Sequence, residues 1–365
     1  MNGQTSEKRR TPPWGRVMLV AVVALLVAGT GMVLIPRDSG NPPPIPFSET
    51  ARAEALEDAL RLQESAAGLS EGTGQGAGHP GLKAAVTLLT TQARALLAPS
   101  EATPSGTAEP SVTSATTTRP TFVEALSASG IKRLADAREA DGGIARLLAG
   151  VGTAQVLEAE KLARTWQLPI PKEAAATTKV PAATVSGPPC PSASPTPEPT
   201  SATTDAALAA TVRVHQEAVY AYQVALKRLE PAAAGTAAKG LAAHESLLRQ
   251  AETLTRANCG DVPASEPGYR LPGQFAQEPA VGLAELESST LPVLGDLVAL
   301  STGETRSWAV DSLLAASRRS LGWGAEIPAL PGLTLDAGDL PSLPTPGPES
   351  GGPAAFSRLH GFPRS

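Results

Sequence analysis

Apolar residues recur along this chain at the alternating three- and four-residue spacing of an amphipathic helix, in eight stretches parted by Gly- or Pro-rich breaks. The first begins near Ser48, whose hydroxyl can cap it, and carries Leu56, Leu60, Gln63 and Ala67 on one face. After the break from Gly72 to Gly81, a second shows Leu82, Val86, Leu89, Ala93 and Leu96. A third runs from about Phe122 to Glu139. Gly142 and Gly143 separate it from a fourth, which ends near Trp166. Four helices of this length predict an up-and-down bundle over residues 48–168, interrupted by a Ser/Thr/Pro-rich insert at 99–120.

The second set starts at Asp205, placed to cap its helix. Leu208, Val212, His215, Val219, Tyr222, Leu226 and Leu229 fall on one face, and Pro231 ends the run. The next helix aligns Leu241, His244, Leu247, Leu248, Ala251 and Leu254. A loop from Asn258 to Pro279 follows. The third helix carries Leu283, Glu287, Thr290, Leu294 and Leu297, with a kink expected at Pro292. The fourth carries Val310, Leu313, Leu314 and Leu321. Residues 205–326 thus predict a second four-helix bundle, joined to the first by a Pro/Thr/Ser/Ala-rich linker at 169–204. A Pro/Gly-rich tail, expected to be mobile, occupies 327–365. The fold class is all-α.

Ahead of both sets, Val17 to Ile35 holds no charged residue and is close to the length that spans a bilayer. Lys8, Arg9, Arg10 and Arg16 lie in the basic segment 1–16 before it, while Arg37 and Asp38 cancel after it. The positive-inside rule then places the N-terminus in the cytoplasm and everything after the Pro-rich stalk at 36–47 outside. The competing reading is a cleaved signal peptide ending near Val27-Ala28-Gly29. The apolar run continues to Ile35, which favours a transmembrane anchor. Both readings export the chain. In an exported protein the two cysteines, Cys190 and Cys259, are expected to form a disulfide.

Composition narrows the picture further. The chain has 34 Gly and 35 Pro, concentrated in the breaks, and only 3% aromatic residues, so its cores must be built from Leu, Val and Ala. The net charge of -5 comes without a basic stripe, which argues against a nucleic-acid partner. Phosphate loops, dinucleotide fingerprints and nucleophile elbows are missing from the sequence.

The candidate chemistry is therefore three polar residues on apolar faces. Antiparallel packing about Pro231 brings His215 and His244 to an axial offset of about 3 to 9 Å. Glu287 lies on the inner side of the third helix, where Arg306 is a candidate partner. Two histidines and a carboxylate inside a bundle are ingredients of a metal site. The simpler expectation is a pair of neutral, hydrogen-bonded core histidines. A carboxylate-bridged di-iron site needs Glu-x-x-His on two helices, and Val212 and Leu241 stand where those Glu residues would be.

Several short motifs carry a resemblance. They are His-Gln-Glu-Ala-Val-Tyr-Ala-Tyr at 215–222, Ala-Ala-His-Glu at 242–245, Gly268 to Pro272, Leu283 to Glu287, and Trp323 followed by Pro-Ala-Leu-Pro-Gly at 328–332. In their order and spacing, residues 205–333 resemble an actinobacterial ferritin-like domain family of unknown function. The resemblance implies a ferritin-like bundle and leaves 1–204 unaddressed. It does not imply iron oxidation, since the Glu-x-x-His pairs are missing here.

The expected protein is thus a membrane-anchored, extracytoplasmic binding or scaffolding module of the cell envelope. Its partners are the membrane, through one helix, and an envelope protein or ligand, and no cofactor is expected. The alternative is a metal-binding or metal-dependent oxidoreductase, holding iron, manganese or zinc through His215, His244 and Glu287.

Overall fold

The computed structural model describes residues 44–71, 80–97, 117–172, 202–271, 273, 275–326 and 328–343. Among them are eight α-helices and no strand. They are α1 (Phe47–Glu71), α2 (Pro80–Leu96), α3 (Arg119–Glu139), α4 (Gly142–Thr165), α5 (Thr204–Ala225), α6 (Pro231–Ala257), α7 (Pro279–Leu300) and α8 (Gly303–Gly322). The all-α reading holds. The apolar run 17–35 lies outside the described residues, and no described helix is long and apolar enough to cross a membrane. α3 begins within the insert drawn at 99–120, because Thr118 and Thr121 form a reciprocal cap and Pro120 occupies the first turn. The rest of that insert, and the linker from 173 to 201, lie outside the described residues.

The helix order follows from the hydrogen bonds that tie helix ends together. α1 packs on α2 and on α3, and α3 packs on α4. Ser48, at the start of α1, bonds Asp141 just beyond α3, so α1 and α3 are antiparallel. The same pairings recur in the second half: α5 with α6 and α7, and α7 with α8. Thr204, at the start of α5, donates to the carbonyl of Leu300 at the end of α7. The short turns after α5 and α7 make two hairpins, so α6 and α7 run parallel and residues 258–278 must cross over. Each half is therefore ordered up, down, down, up.

The two halves also match residue by residue. Counted back from the helix-terminating residues Ala140 and Ser301, the buried positions Phe122, Leu126, Arg133 and Ala137 of α3 fall on Leu283, Glu287, Leu294 and Val298 of α7. With Ser48 set against Thr204, the buried Ala51, Ala55, Ala59, Leu62 and Ala66 of α1 fall on Ala207, Thr211, His215, Ala218 and Tyr222 of α5. The inner face of α1 is thus its alanine row. Leu56 and Leu60 lie beside that row and are only partly buried.

From Pro46 onward the helices form one compact unit. α4 packs on α7, α3 on α8, and α4 on α8. Exchanging the α3–α4 hairpin for the α7–α8 hairpin maps these contacts onto themselves, so the halves meet about a pseudo-two-fold axis. One apolar cluster runs through both, from Leu134 and Leu148 to Leu294, Val298, Leu313 and Leu314. Polar ties reinforce the seam: Arg138 pairs with Asp311 at 2.6 Å, and Arg318 with Glu160 at 2.6 Å. Arg306 does not pair with Glu287 as the sequence suggested. It lies at the start of α8, far from Glu287 along the hairpin, and donates to the carbonyls of Val298, Ser301 and Ala140. It thereby satisfies the open carbonyls where α7 and α3 end.

The start of the tail is packed. Leu330 is 5% exposed and Pro331 and Gly332 are buried, with Arg146 Nε donating to Gly332 O at 2.8 Å. The tail after 343 lies outside the described residues.

Candidate functional site

The second half holds a buried polar cluster where the first half is mostly apolar. α5 supplies His215 and Tyr222, two turns apart on one face. α6 supplies His244, α7 Glu287, and the end of α8 supplies Arg319 and Trp323. In the first half, Ala59, Ala66 and Leu126 stand in the places of His215, Tyr222 and Glu287. On α2 the buried positions Leu82, Ala85, Leu89 and Gln92 match Ala237, Gly240, His244 and Leu247 of α6, so Leu89 stands for His244.

The contacts form a chain. His215 Nδ1 lies 3.1 Å from His244 Nδ1. His244 Nε2 lies 2.9 Å from Glu287 Oε1. Tyr222 donates its hydroxyl to the same oxygen at 2.7 Å, and Arg319 Nε bonds Oε1 at 3.0 Å and Oε2 at 3.1 Å. Trp323, which ends α8, donates its indole N–H to the Tyr222 hydroxyl at 2.7 Å. Both His rings and Glu287 are fully shielded from solvent.

Burial alone would raise the Glu287 pKa, but the Arg319 guanidinium and the bonds from His244 and Tyr222 outweigh it and hold the carboxyl at about 2. Glu287 is then an acceptor only, so His244 must carry its proton on Nε2. Burial lowers the pKa of His244 despite Glu287, leaving Nδ1 as an acceptor. His215 therefore donates from Nδ1. Burial, then the neighbouring His244 and Arg319, push its pKa well down. Its Nε2 is an unprotonated nitrogen with no hydrogen-bond partner, in a ring that Trp308 meets edge-on at 6.4 Å. Burial and the ionised Glu287 push the Tyr222 phenol far above its ordinary range.

The three residues singled out from the sequence thus come together, but in series. The two nitrogens of His244 diverge, one toward Glu287 and the other toward His215. A single ion held by Glu287 and His244 would leave His215 beyond reach. Among the described residues no group of three or more His, Cys, Asp or Glu side chains is arranged to hold a metal ion. The geometry offers at most the two facing Nδ1 atoms, with Glu287 orienting His244 from behind.

Arg319, Tyr222 and Trp323 are the members that pattern-reading missed. The spacing reads Tyr222 only as part of an apolar stripe, and Trp323 enters only as part of a motif. Arg319 lies off the leucine stripe of α8, on a face of small residues that includes Ser312, Ala316 and Ser320. That run of small buried residues was the available signal for a second inward face. Tyr222 has room because Gly240 lies against its ring. A Cβ at Gly240 would stand 2.4 Å from a Tyr222 ring carbon. Cys259 follows α6 with φ at 62°, and no cysteine among the described residues is free. Cys190 lies outside them.

Residues 207–335 match the family model described as "Domain of unknown function (DUF4439)". No curated protein matches the chain, and no solved structure matches it.

Proposed function

We propose that this chain is a membrane-anchored, extracytoplasmic protein of the cell envelope whose helical unit is a non-enzymatic binding or scaffolding module. The observation that carries the reading is closure of the buried cluster. Glu287 is fully shielded, and both its oxygens are taken by Tyr222, His244 and Arg319. A catalytic carboxylate needs a substrate within hydrogen-bond reach, and this one is enclosed by its own protein. Anchoring rests on the uncharged run Val17–Ile35 and the basic residues before it. The up, down, down, up order and its crossover support a ferritin-like reading of 205–326, and the motifs at 215–222 and 242–245 support the actinobacterial resemblance. A Cys190–Cys259 disulfide would fasten the linker to the end of α6.

The second reading is a metal-dependent protein built on the facing histidines. What favours it is the unpartnered, unprotonated Nε2 of His215 in a fully buried ring. One experiment separates the two. Thermal melts of full-length protein in detergent are recorded with and without added iron, manganese or zinc, for wild type and His215→Ala. The binding-module reading requires no metal-dependent rise in Tm. A rise in wild type that His215→Ala abolishes replaces it with the metal reading.

A further inference from the structure

We propose that residues 231–243, the first half of α6, form a lid that uncoils locally while the second half stays docked, and that its opening gives access to the buried cluster. The inference goes beyond the binding-module reading, which rests on the closed state.

The two halves of α6 are held differently. In the second, Leu247, Ala251 and Leu254 are buried, Trp308 donates to Gln250 at 2.9 Å, and Asn258 donates to Thr305 at 3.2 Å. In the first, Ala237 and Gly240 are the only buried residues, and Leu241 is partly buried. Among the described residues, His244 is the first of the helix whose side chain bonds another helix. A cleft of about 380 Å³ runs between the first half and the end of α8, with Thr236 and Lys239 on one wall and Ala315 and Gly322 on the other.

The helix is also locally weak here. Glu230, at its N-cap, makes no side-chain bond to the open N–H groups of the first turn. Gly235 and Gly240 lie inside the helix, where glycine is less favourable than alanine. Gly240 is required by the Tyr222 ring, but a Cβ at Gly235 would meet nothing within 4 Å. The internal repeat shows the contrast, since Leu82 and Ala85 of α2 are buried in the places of Ala237 and Gly240. A stretch with few buried apolar side chains and a cleft along one side opens at lower free energy than the core around it.

This stretch covers the outer partners of Glu287. A Cβ at Gly240 would stand 2.8 Å from the Tyr222 hydroxyl, so the backbone there closes over the phenol end of the ring. That hydroxyl bonds Glu287, and so does Arg319, which lines the same cleft. The bonds within the cluster are made by His215, Tyr222, His244, Glu287, Arg319 and Trp323, all outside residues 231–243. The lid therefore opens without breaking any of them, and it bares Tyr222 and Arg319 to solvent.

Hydrogen exchange of full-length protein in detergent, read by mass spectrometry and corrected for intrinsic rates, tests the lid. Amides of 236–243 should exchange faster than those of 245–257. Gly235→Ala should slow exchange at 236–243 about four-fold, the size of one glycine-to-alanine change inside a helix, and leave α2 unchanged. Pulsed hydroxyl-radical oxidation is the second readout. Tyr222 should be oxidised more in wild type than in Gly235→Ala, while Phe122, as deeply buried in the first half of the chain, stays unmodified in both. Exchange at 236–243 as slow as at 245–257, or unchanged by Gly235→Ala, overturns the lid. An unmodified Tyr222 overturns access to the cluster, since residues 231–243 would then fray without uncovering it. No outcome depends on a metal or a partner, so the lid and the binding-module reading fail separately.

Discussion

His215 and His244 face each other through their Nδ1 atoms at 3.1 Å, inside a protein that has already committed the other nitrogen of His244 to Glu287. That one contact orders the protons of the whole cluster. Glu287 accepts from His244, His244 accepts from His215, and the chain of donors ends on a bare nitrogen. Burial disfavours a second proton on either ring, and on His244 that proton would fall on Nδ1, against the Nδ1–H of His215.

The first prediction is a pH dependence. Both histidines have pKa values below the ordinary 6.5, so under acid the native chain binds fewer protons than the unfolded one. Stability from this source is fully present above pH 6.5 and is lost as pH falls from 6.5 toward the folded values. Glu287, at about 2 instead of 4.5, adds a second loss between those two values. Calorimetric Tm should be flat above about pH 7 and decline below 6.5, with a shallower decline in His215→Ala. A wild-type Tm that holds steady from pH 7 to 5 would contradict the assigned protonation.

The second concerns partial against complete removal of the cluster. Glu287→Leu alone strands the Tyr222 hydroxyl and the Arg319 guanidinium, and should cost about 2–4 kcal/mol by denaturant titration. His244→Leu strands His215 and should cost about 1–3 kcal/mol. The first half shows that alanine and leucine fill these places, with Ala59, Leu89 and Leu126 all buried. The triple variant His215→Ala/His244→Leu/Glu287→Leu should therefore lose less than the sum of its three single changes. Additivity within about 0.5 kcal/mol would show that the members do not act as a unit.

Gly240 supplies the third. Its equivalent in the first half is Ala85, which is tolerated because Ala66, not a tyrosine, lies opposite. Gly240→Ala should destabilise the protein by about 1–3 kcal/mol, since Tyr222 is fully buried and hydrogen-bonded at its far end. Adding Tyr222→Ala should recover part of that loss. A double-mutant cycle with no coupling would rule out the ring contact as the cause.

The fourth tests the disulfide. A Cys190–Cys259 bond closes a loop of about 70 residues, and chain entropy gives about 4 kcal/mol of stabilisation. Unreduced protein, unfolded in denaturant with an alkylating reagent, should remain unlabelled at both cysteines by mass spectrometry. Labelling at both would exclude the bond.

What the sequence determined by itself is the set of elements and most of their inward faces. The three-and-four spacing places Leu208, Val212, His215 and Tyr222 on one side of a helix whatever it packs against, and all four are buried. The same holds for Leu283, Glu287, Thr290, Leu294 and Leu297 on α7. Singling out His215, His244 and Glu287 needed only the oddity of a polar residue on such a face. What only the tertiary structure decided is which faces meet. Periodicity within a helix carries no record of its neighbour, so Arg306 was matched to Glu287 when Arg319, one face over on the same helix, holds it. The alanine row of α1 was passed over for its leucines, because methyl groups attract notice only when a close neighbour is known. The repeat, too, lay hidden: Ala59 and His215, or Leu126 and Glu287, share nothing chemically. They become equivalent only when the packing of α1 on α3 and of α5 on α7 shows that they fill the same place.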